Sequence, residues 1–371
     1  MFYSLAFLLL VVFATISYEK YLRTEGKGGV GKKRFPRIKR VEHPLHRAHR
    51  NPLISPTPYS HWQSECAFNP AVVQDEEGKV HLIYRAIGSD GVSRFGYAAS
   101  KDGFNFDERC PYPVFEAAAL NNPNRGMRRY DPKLYPSGGS WGGFEDPRTV
   151  LINGRVYMTF IAFGGWQSIR IGLTSIALSD LKQKKWNWKE PFFISPEGER
   201  HKNWVLFPEK INGKYAIFHG IAPKIYVDYV DSLTEPFTIQ SPRPEGPQPG
   251  RKDFWDNRMR GIGPPPIKTG LGWLVLYHAI DKIEPHKYKL GAMVLDLHDP
   301  TKVLYRSPEP ILSPDMDYEN DGKPGIVYAS GAVVRNNILY VYYGGGDKHV
   351  CIAQTPLNEL LDYLVRHGQE V

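Results

Sequence analysis

The chain has 371 residues, with 47 Lys and Arg against 39 Asp and Glu, 13% aromatic residues and three cysteines. Cys66, Cys110 and Cys351 are too few, and odd in number, for a disulfide framework, and no CxxC or His/Cys cluster has the spacing of a zinc site. The net charge of +8 lies wholly between Glu19 and Arg50, where eleven basic residues face three acidic ones, so the rest is neutral and does not read as a nucleic-acid binder.

The N-terminus opens with an almost wholly apolar run, Phe2–Ile16, followed by that basic stretch. A secretory signal would carry its positive charge before the apolar run and a small-residue cleavage site after it. The reverse order predicts a membrane-anchor helix over residues 1–18, marginal in length. Lys and Arg collect on the cytoplasmic side of a span, so the body is expected to face the cytoplasm. Residues 19–50, rich in Gly and Lys, read as a basic flexible linker, and residues 51–371 as one catalytic domain.

Five copies of one pattern follow, each a turn, a short apolar-aromatic strand, a gap and a second strand. They are Gly78–Ala86 with Arg94–Ser100, Gly154–Ala162 with Ile171–Leu178, and Gly213–Gly220 with Lys224–Val230. Gly272–Ala279 with Tyr288–Leu297 and Asn337–Gly345 with Val350–Thr355 complete the set. Alternation over five to seven residues, bounded by turn formers, predicts strands. Repetition of a supersecondary unit about every 60 to 75 residues predicts an all-β fold, a five-bladed β-propeller. A short C-terminal helix is expected over 357–366. Arg85, His219, His278 and Asp347 each follow the first strand of a copy, where they would enter a common channel mouth. Trp62, Trp204 and Trp255 suit either a sugar platform or core packing.

Between the first two copies stands GGFEDPRTV, in which Glu145, Asp146 and Arg148 bracket Pro147. Acids clustered beside an arginine form either a buried ion network or a site. With FNPAVV (68–73), IYRAIG (83–88), LFPEKINGKY (206–215), GPPPIKT (263–269), LDLHDPTKVLYRSPEPIL (295–312) and YYGGGD (342–347), this motif makes the chain resemble glycoside hydrolase family 130, the β-mannoside phosphorylases and their hydrolytic relatives. The resemblance covers residues 51 to the C-terminus and implies the same five-bladed propeller.

It further implies an inverting enzyme in which Asp146 is the general acid, working through the sugar 3-hydroxyl, while Asn69, Arg85 and Asp347 hold the mannosyl unit. Arg148 and His278 join them as substrate-binding candidates. Phosphorolysis needs a cationic pocket for inorganic phosphate. Lys268 matches one phosphate position, and His201 or Lys202 lies near another. Gly220 stands where many family phosphorylases have arginine, with Lys224 or Arg260 available to compensate. An inverting β-mannosidase, with Glu199, Asp228 or Asp256 as the base that activates water, is the alternative. A non-catalytic glycan-binding propeller is the third. No cofactor or metal is expected, only phosphate as co-substrate. The expected partners are a mannoside or oligosaccharide, phosphate and a membrane, and a homo-oligomer is left open.

Overall fold

The computed structural model describes residues 44–117, 128–219, 225–239, 246 and 250–368. The expected anchor over residues 1–18, together with Gly220 and Lys224, lies outside them. No helix among the described residues is long and apolar enough to cross a membrane.

The fold is nearly all β, and its strands form five antiparallel meanders in chain order. After the short strand β1 (His46–Arg47), the first meander runs through β2 (Cys66–Gln74), β3 (Val80–Ile87), β4 (Val92–Ser100) and β5 (Glu108–Arg109). The second comprises β6 (Gly142–Ile152), β7 (Arg155–Phe163), β8 (Ile169–Ala177) and β9 (Phe192–Phe193). The third comprises β10 (Val205–Ile211), β11 (Lys214–His219) and β12 (Tyr226–Val230). The fourth contains β13 (Arg258–Ile262), β14 (Ile267–Thr269), β15 (Gly272–Ile280), β16 (Lys289–Leu295) and β17 (Val303–Arg306). The fifth contains β18 (Val327–Arg335), β19 (Ile338–Gly345) and β20 (His349–Pro356), with β1 on its outer edge.

The repeats read from sequence are the second and third strands of each meander. Those strands run nearly unbroken in apolar residues because both faces are covered: every residue of β3, β4, β15 and β16 is buried. The core lies between neighbouring meanders. Ile83 and Phe95 of the first pack on Met158 and Phe160 of the second, and Ile161 and Leu173 of the second on Leu206 and Ile217 of the third. Phe207 and Phe218 meet Val275 and Met293, and Leu276 and Leu290 meet Val327 and Tyr343. Leu82 and Tyr84 of the first meander also pack on Tyr342 and Ile352 of the fifth. The first and second meanders are joined further by a short parallel pairing of Val92 and Ser93 with Gly142 and Gly143. A Cβ on Gly143 would lie 2.2 Å from the Ser93 carbonyl oxygen, so this junction needs glycine.

What the repeat pattern missed is the first strand of every meander. All five carry a register irregularity: between Phe68 and Ala71, Glu145 and Arg148, Leu206 and Lys210, Met259 and Gly261, and Ala329 and Gly331. Pro70, Pro147 and Pro208 sit in three of them, as expected of a residue with no N–H for the ladder. A bulge re-aims the residues it carries, and these bulges build the site described below.

Among the described residues two α-helices flank the sheets, α1 (Leu178–Lys182) and α2 (Leu357–His367). The second is the expected C-terminal helix, seated on the core by Leu360 and Leu364, one turn apart. The expected linker boundary at residue 50 is displaced: Leu45 is buried, β1 pairs with β20, and Arg47 bridges the fully buried Glu319 at 2.7 Å. Residues 45–50 therefore belong to the fold, because Arg47 answers a carboxylate that burial would otherwise strand. The three cysteines are free and buried.

Candidate active site

Two bulges create the centre. Asn69 and Asp146 both adopt left-handed backbone, φ +46° and +50°, a conformation that Asn and Asp tolerate better than most residues. Each is followed by proline, and together they turn two side chains from separate strands toward each other. Asn69 Nδ2 donates to Asp146 Oδ1 at 2.9 Å. Arg85 Nη1, from β3, donates to the same oxygen at 3.0 Å. Among the described residues no hydrogen bond reaches Oδ2, which leaves it as the oxygen available to a substrate.

Arg85 is itself locked. Its Nε donates to Ser93 Oγ (2.8 Å), and its Nη2 to the Ser137 carbonyl (2.9 Å), Ser140 Oγ (3.0 Å) and Glu145 Oε1 (2.8 Å). Its guanidinium lies over the Phe68 ring at 4.8 Å. Glu145, wholly buried, also accepts from Ser140 Oγ at 2.8 Å, from Ser137 Oγ at 2.8 Å and from Lys202 Nζ at 3.3 Å. Sequence reasoning named Glu145 only as a neighbour of the acid; here it is the anchor of Arg85 and Lys202.

Arg148 closes the other side. Its Nε donates to the Gly263 carbonyl at 2.8 Å, Nη1 to the Asp146 carbonyl at 2.9 Å and Nη2 to Tyr328 Oη at 2.9 Å. Most of its donors are spent on the framework, so it acts on Asp146 by charge and by fixing the bulge. Burial would push the Asp146 carboxyl up. The Arg85 and Arg148 guanidiniums, the Lys202 ammonium and the Asn69 amide outweigh burial and bring it down to about 2. Asp146 is thus an anion at neutral pH in the free protein. His278 stacks flat on Tyr328, centroids 4.3 Å apart. Burial and the nearby Arg148 hold its imidazole neutral, at about 3.

The remaining expected residues separate into two groups. Asp347, also left-handed at φ +51°, lies close enough to add to the negative field on Arg85, and its Oδ2 is 3.5 Å from Lys323 Nζ. Lys202 reaches the site and spends two of its three N–H donors on Ser137 (2.6 Å) and Glu145. Arg260 occupies the bulge of β13, the counterpart of Asn69 and Asp146 in their strands, and its Nε donates to Tyr288 Oη at 2.7 Å.

Lys268 does not join them. It lies on β14 opposite Trp273, five residues along β15 from His278, roughly 17 Å at the rise of a strand. There it forms an exposed ion pair with Glu209 at 2.5 Å. Asp256 is walled in by Arg306 (2.8 Å), Arg251 (3.0 Å) and Tyr277 Oη (2.8 Å), a structural ion network. Glu199 pairs with His201 at 3.0 Å, and Asp228 lies 3.4 Å from His219, which stacks on Tyr226 and meets Trp204 at a tilt. Trp62, Trp204 and Trp255 are all buried core residues. The indole that does face solvent beside the site is Trp166, 40% exposed, at the β7–β8 turn with its ring centroid 5.4 Å from Lys202 Nζ. No group of His, Cys, Asp and Glu among the described residues could hold a metal ion.

Residues 33–366 match a family model described as β-1,4-mannooligosaccharide phosphorylase. The chain is 37% identical over 330 residues to the 1,2-β-oligomannan phosphorylase of Thermoanaerobacter sp. (strain X514), covering 85% of this chain and 98% of that one. It is 36% identical over 326 residues to the β-1,2-mannobiose phosphorylase of the same strain, covering 83% and 96%. In fold it is similar to the β-1,2-mannobiose phosphorylase of Listeria innocua, solved in complex with β-1,2-mannobiose. The TM-score there is 0.67 at 24% identity, over 87% of this chain and 99% of that one.

Proposed function

We propose a reaction on one premise: this chain belongs to glycoside hydrolase family 130. The family's members that act as glycoside phosphorylases of β-mannosides are enzymes, and this chain is read as one of them, with β-1,2-linked oligomannosides as its substrates. The preference for that linkage rests on the two relatives at 36–37% identity, both named for it. The five meanders, each packed on the next and the fifth on the first, are read as the blades of a five-bladed propeller.

The observation that carries the reading is the Asp146 carboxylate, clamped through one oxygen by Asn69 and Arg85 with the other left open. In the reaction a phosphate oxygen bonds to C1 of the terminal mannosyl unit as the bond from C1 to the leaving sugar oxygen breaks. The electron pair stays on the leaving oxygen, which takes a proton, and mannose 1-phosphate forms with inversion. Because Asp146 is anionic in the free protein, the proton it passes on, through the sugar 3-hydroxyl, is one it gains in the ternary complex. Hydrogen phosphate carries a proton to supply, and its negative charge offsets the cations that hold the carboxyl down.

Asn69, Arg85 and Asp347 hold the mannosyl unit. Arg148 and His278 shape its pocket and fix Asp146. Lys202 and Arg260 are the phosphate cations; Arg260 keeps its terminal nitrogens for an anion while Tyr288 takes its Nε. Each water-activating candidate of the hydrolytic reading is engaged elsewhere, so nothing in the geometry favours that reading. Anchoring of residues 1–18 in a membrane, with the body in the cytoplasm, stays part of this proposal on the sequence pattern alone. The deciding experiment incubates β-1,2- and β-1,4-mannobiose with and without phosphate. Mannose 1-phosphate formed only with phosphate, and faster from the β-1,2 isomer, is the expected result. Free mannose released at an equal rate without phosphate would overturn it.

A further inference from the structure

Asn69 is 3% exposed, and its amide is oriented by the donation of Nδ2 to Asp146. That orientation sends Oδ1 the other way, against β19, where no hydrogen-bond donor among the described residues meets it. The atom it meets is the α-carbon region of Gly344, in the middle of the YYGGGD motif. A Cβ built on Gly344 would stand 2.0 Å from Asn69 Oδ1, 3.2 Å from its Cγ and 3.0 Å from its backbone nitrogen. Gly344 pairs regularly with Tyr328 on one side and Val350 on the other. Unlike Gly346 it does not lie in the left-handed region. Its own backbone would accept any residue; what stands against a side chain is Asn69, above all the amide oxygen at 2.0 Å, with its backbone nitrogen tight at 3.0 Å.

We propose that Gly344 is a positioning residue for the general acid: its missing side chain is the slot that seats the Asn69 amide, which in turn fixes Asp146. The reaction it serves is the one proposed above. The fifth meander thereby sets the geometry of an acid on the second through an amide on the first. A close C···O contact is about 3.3 Å, so with a Cβ at 2.0 Å the oxygen must retreat by about 1.3 Å. The Asn69–Asp146 bond, 2.9 Å long, does not survive such a shift.

The test is a double-mutant cycle. Gly344→Ala should lower kcat about ten- to a hundredfold, the worth of a hydrogen bond to a charged group, with a smaller change in KM for the mannoside. Asn69→Gly keeps the left-handed backbone at no steric cost and removes the amide. In that background Gly344→Ala should cost far less than in the wild type, because the amide oxygen is gone and only the backbone nitrogen of residue 69, a tight 3.0 Å away, is left against the methyl. A full-length protein in which Gly344→Ala is harmless, or equally harmful with and without the Asn69 amide, would overturn the proposal. Summing mannose 1-phosphate and free mannose as product keeps the two readings separable. If the wild type releases only free mannose, the phosphorylase assignment fails while the cycle still reports on Gly344.

Discussion

Replacing Glu145 by glutamine leaves the shape of the site and removes one buried charge. The amide oxygen can still accept from Arg85 and Ser140, at the positions now 2.8 Å apart. On the other side an N–H₂ group replaces Oε2 and faces Lys202 Nζ, so a contact of 3.3 Å between opposite charges becomes one between two donors. Arg85, buried on all sides, is left with Asp146 as its one close counter-ion. Breaking a buried pair costs about 3–5 kcal/mol, and the retained oxygen returns part of that, so Glu145→Gln should destabilise by about 2–4 kcal/mol. Glu145→Ala, which leaves both cations unanswered, should reach or exceed the upper figure. Urea unfolding at pH 7 measures this, with the slope checked so that a shift in midpoint reports stability. Turnover should fall as well, because Arg85 then closes on Asp146 and competes for Oδ2. A loss below about 1 kcal/mol, with activity kept, would refute the claim that Glu145 anchors the two cations.

Asp146→Asn should lower turnover about 10²–10⁴-fold, the usual worth of general acid–base catalysis, while the fold persists because the amide oxygen can keep both contacts. The same variant isolates the carboxylate's contribution to acid stability. A carboxyl depressed to about 2 stabilises the fold above its ordinary value near 3.8, and that contribution is lost as pH falls toward 2. The stability difference between wild type and Asp146→Asn should therefore shift by about 2 kcal/mol between pH 5 and 2, to the wild type's disadvantage at low pH; a constant difference would contradict the charge balance described. Arg260→Ala should raise the KM for phosphate about ten- to a hundredfold, while Lys268→Ala leaves it unchanged, with initial rates at varied phosphate deciding between them. Removal of residues 1–43 should leave the body folded, whereas removal of 1–50 should cost about 3 kcal/mol or more by stranding Glu319 without Arg47; equal denaturation midpoints for the two truncations would show that β1 is dispensable.

Much of this protein was legible in one dimension. Strand pairs such as β3–β4 and β15–β16 declare themselves because residues covered on both faces must be apolar, and the helix Leu357–His367 follows from Leu360 and Leu364 one turn apart. The motif FEDPR, quoted with FNPAVV, brought Asp146 and Asn69 forward as residue types and as likenesses to a family. The bulged first strands were not legible as strands, since a bulge shifts the alternation on which strand reading depends. Pro70, Pro147 and Pro208 inside apolar runs were the available signal. Three-dimensional packing alone decided which charges meet. Asp146 and Glu145 are adjacent in sequence, yet left-handed backbone at Asp146 sends one carboxylate to Asn69 and leaves the other wholly buried with Arg85 and Lys202. Lys268 looked as cationic in sequence as Lys202; it lies at the far end of β15 because strand direction places Trp273 and His278 some five residues apart. Gly344 carries no chemistry to read in a sequence, and only the approach of β19 to β2 shows that its absent side chain is the space an amide needs.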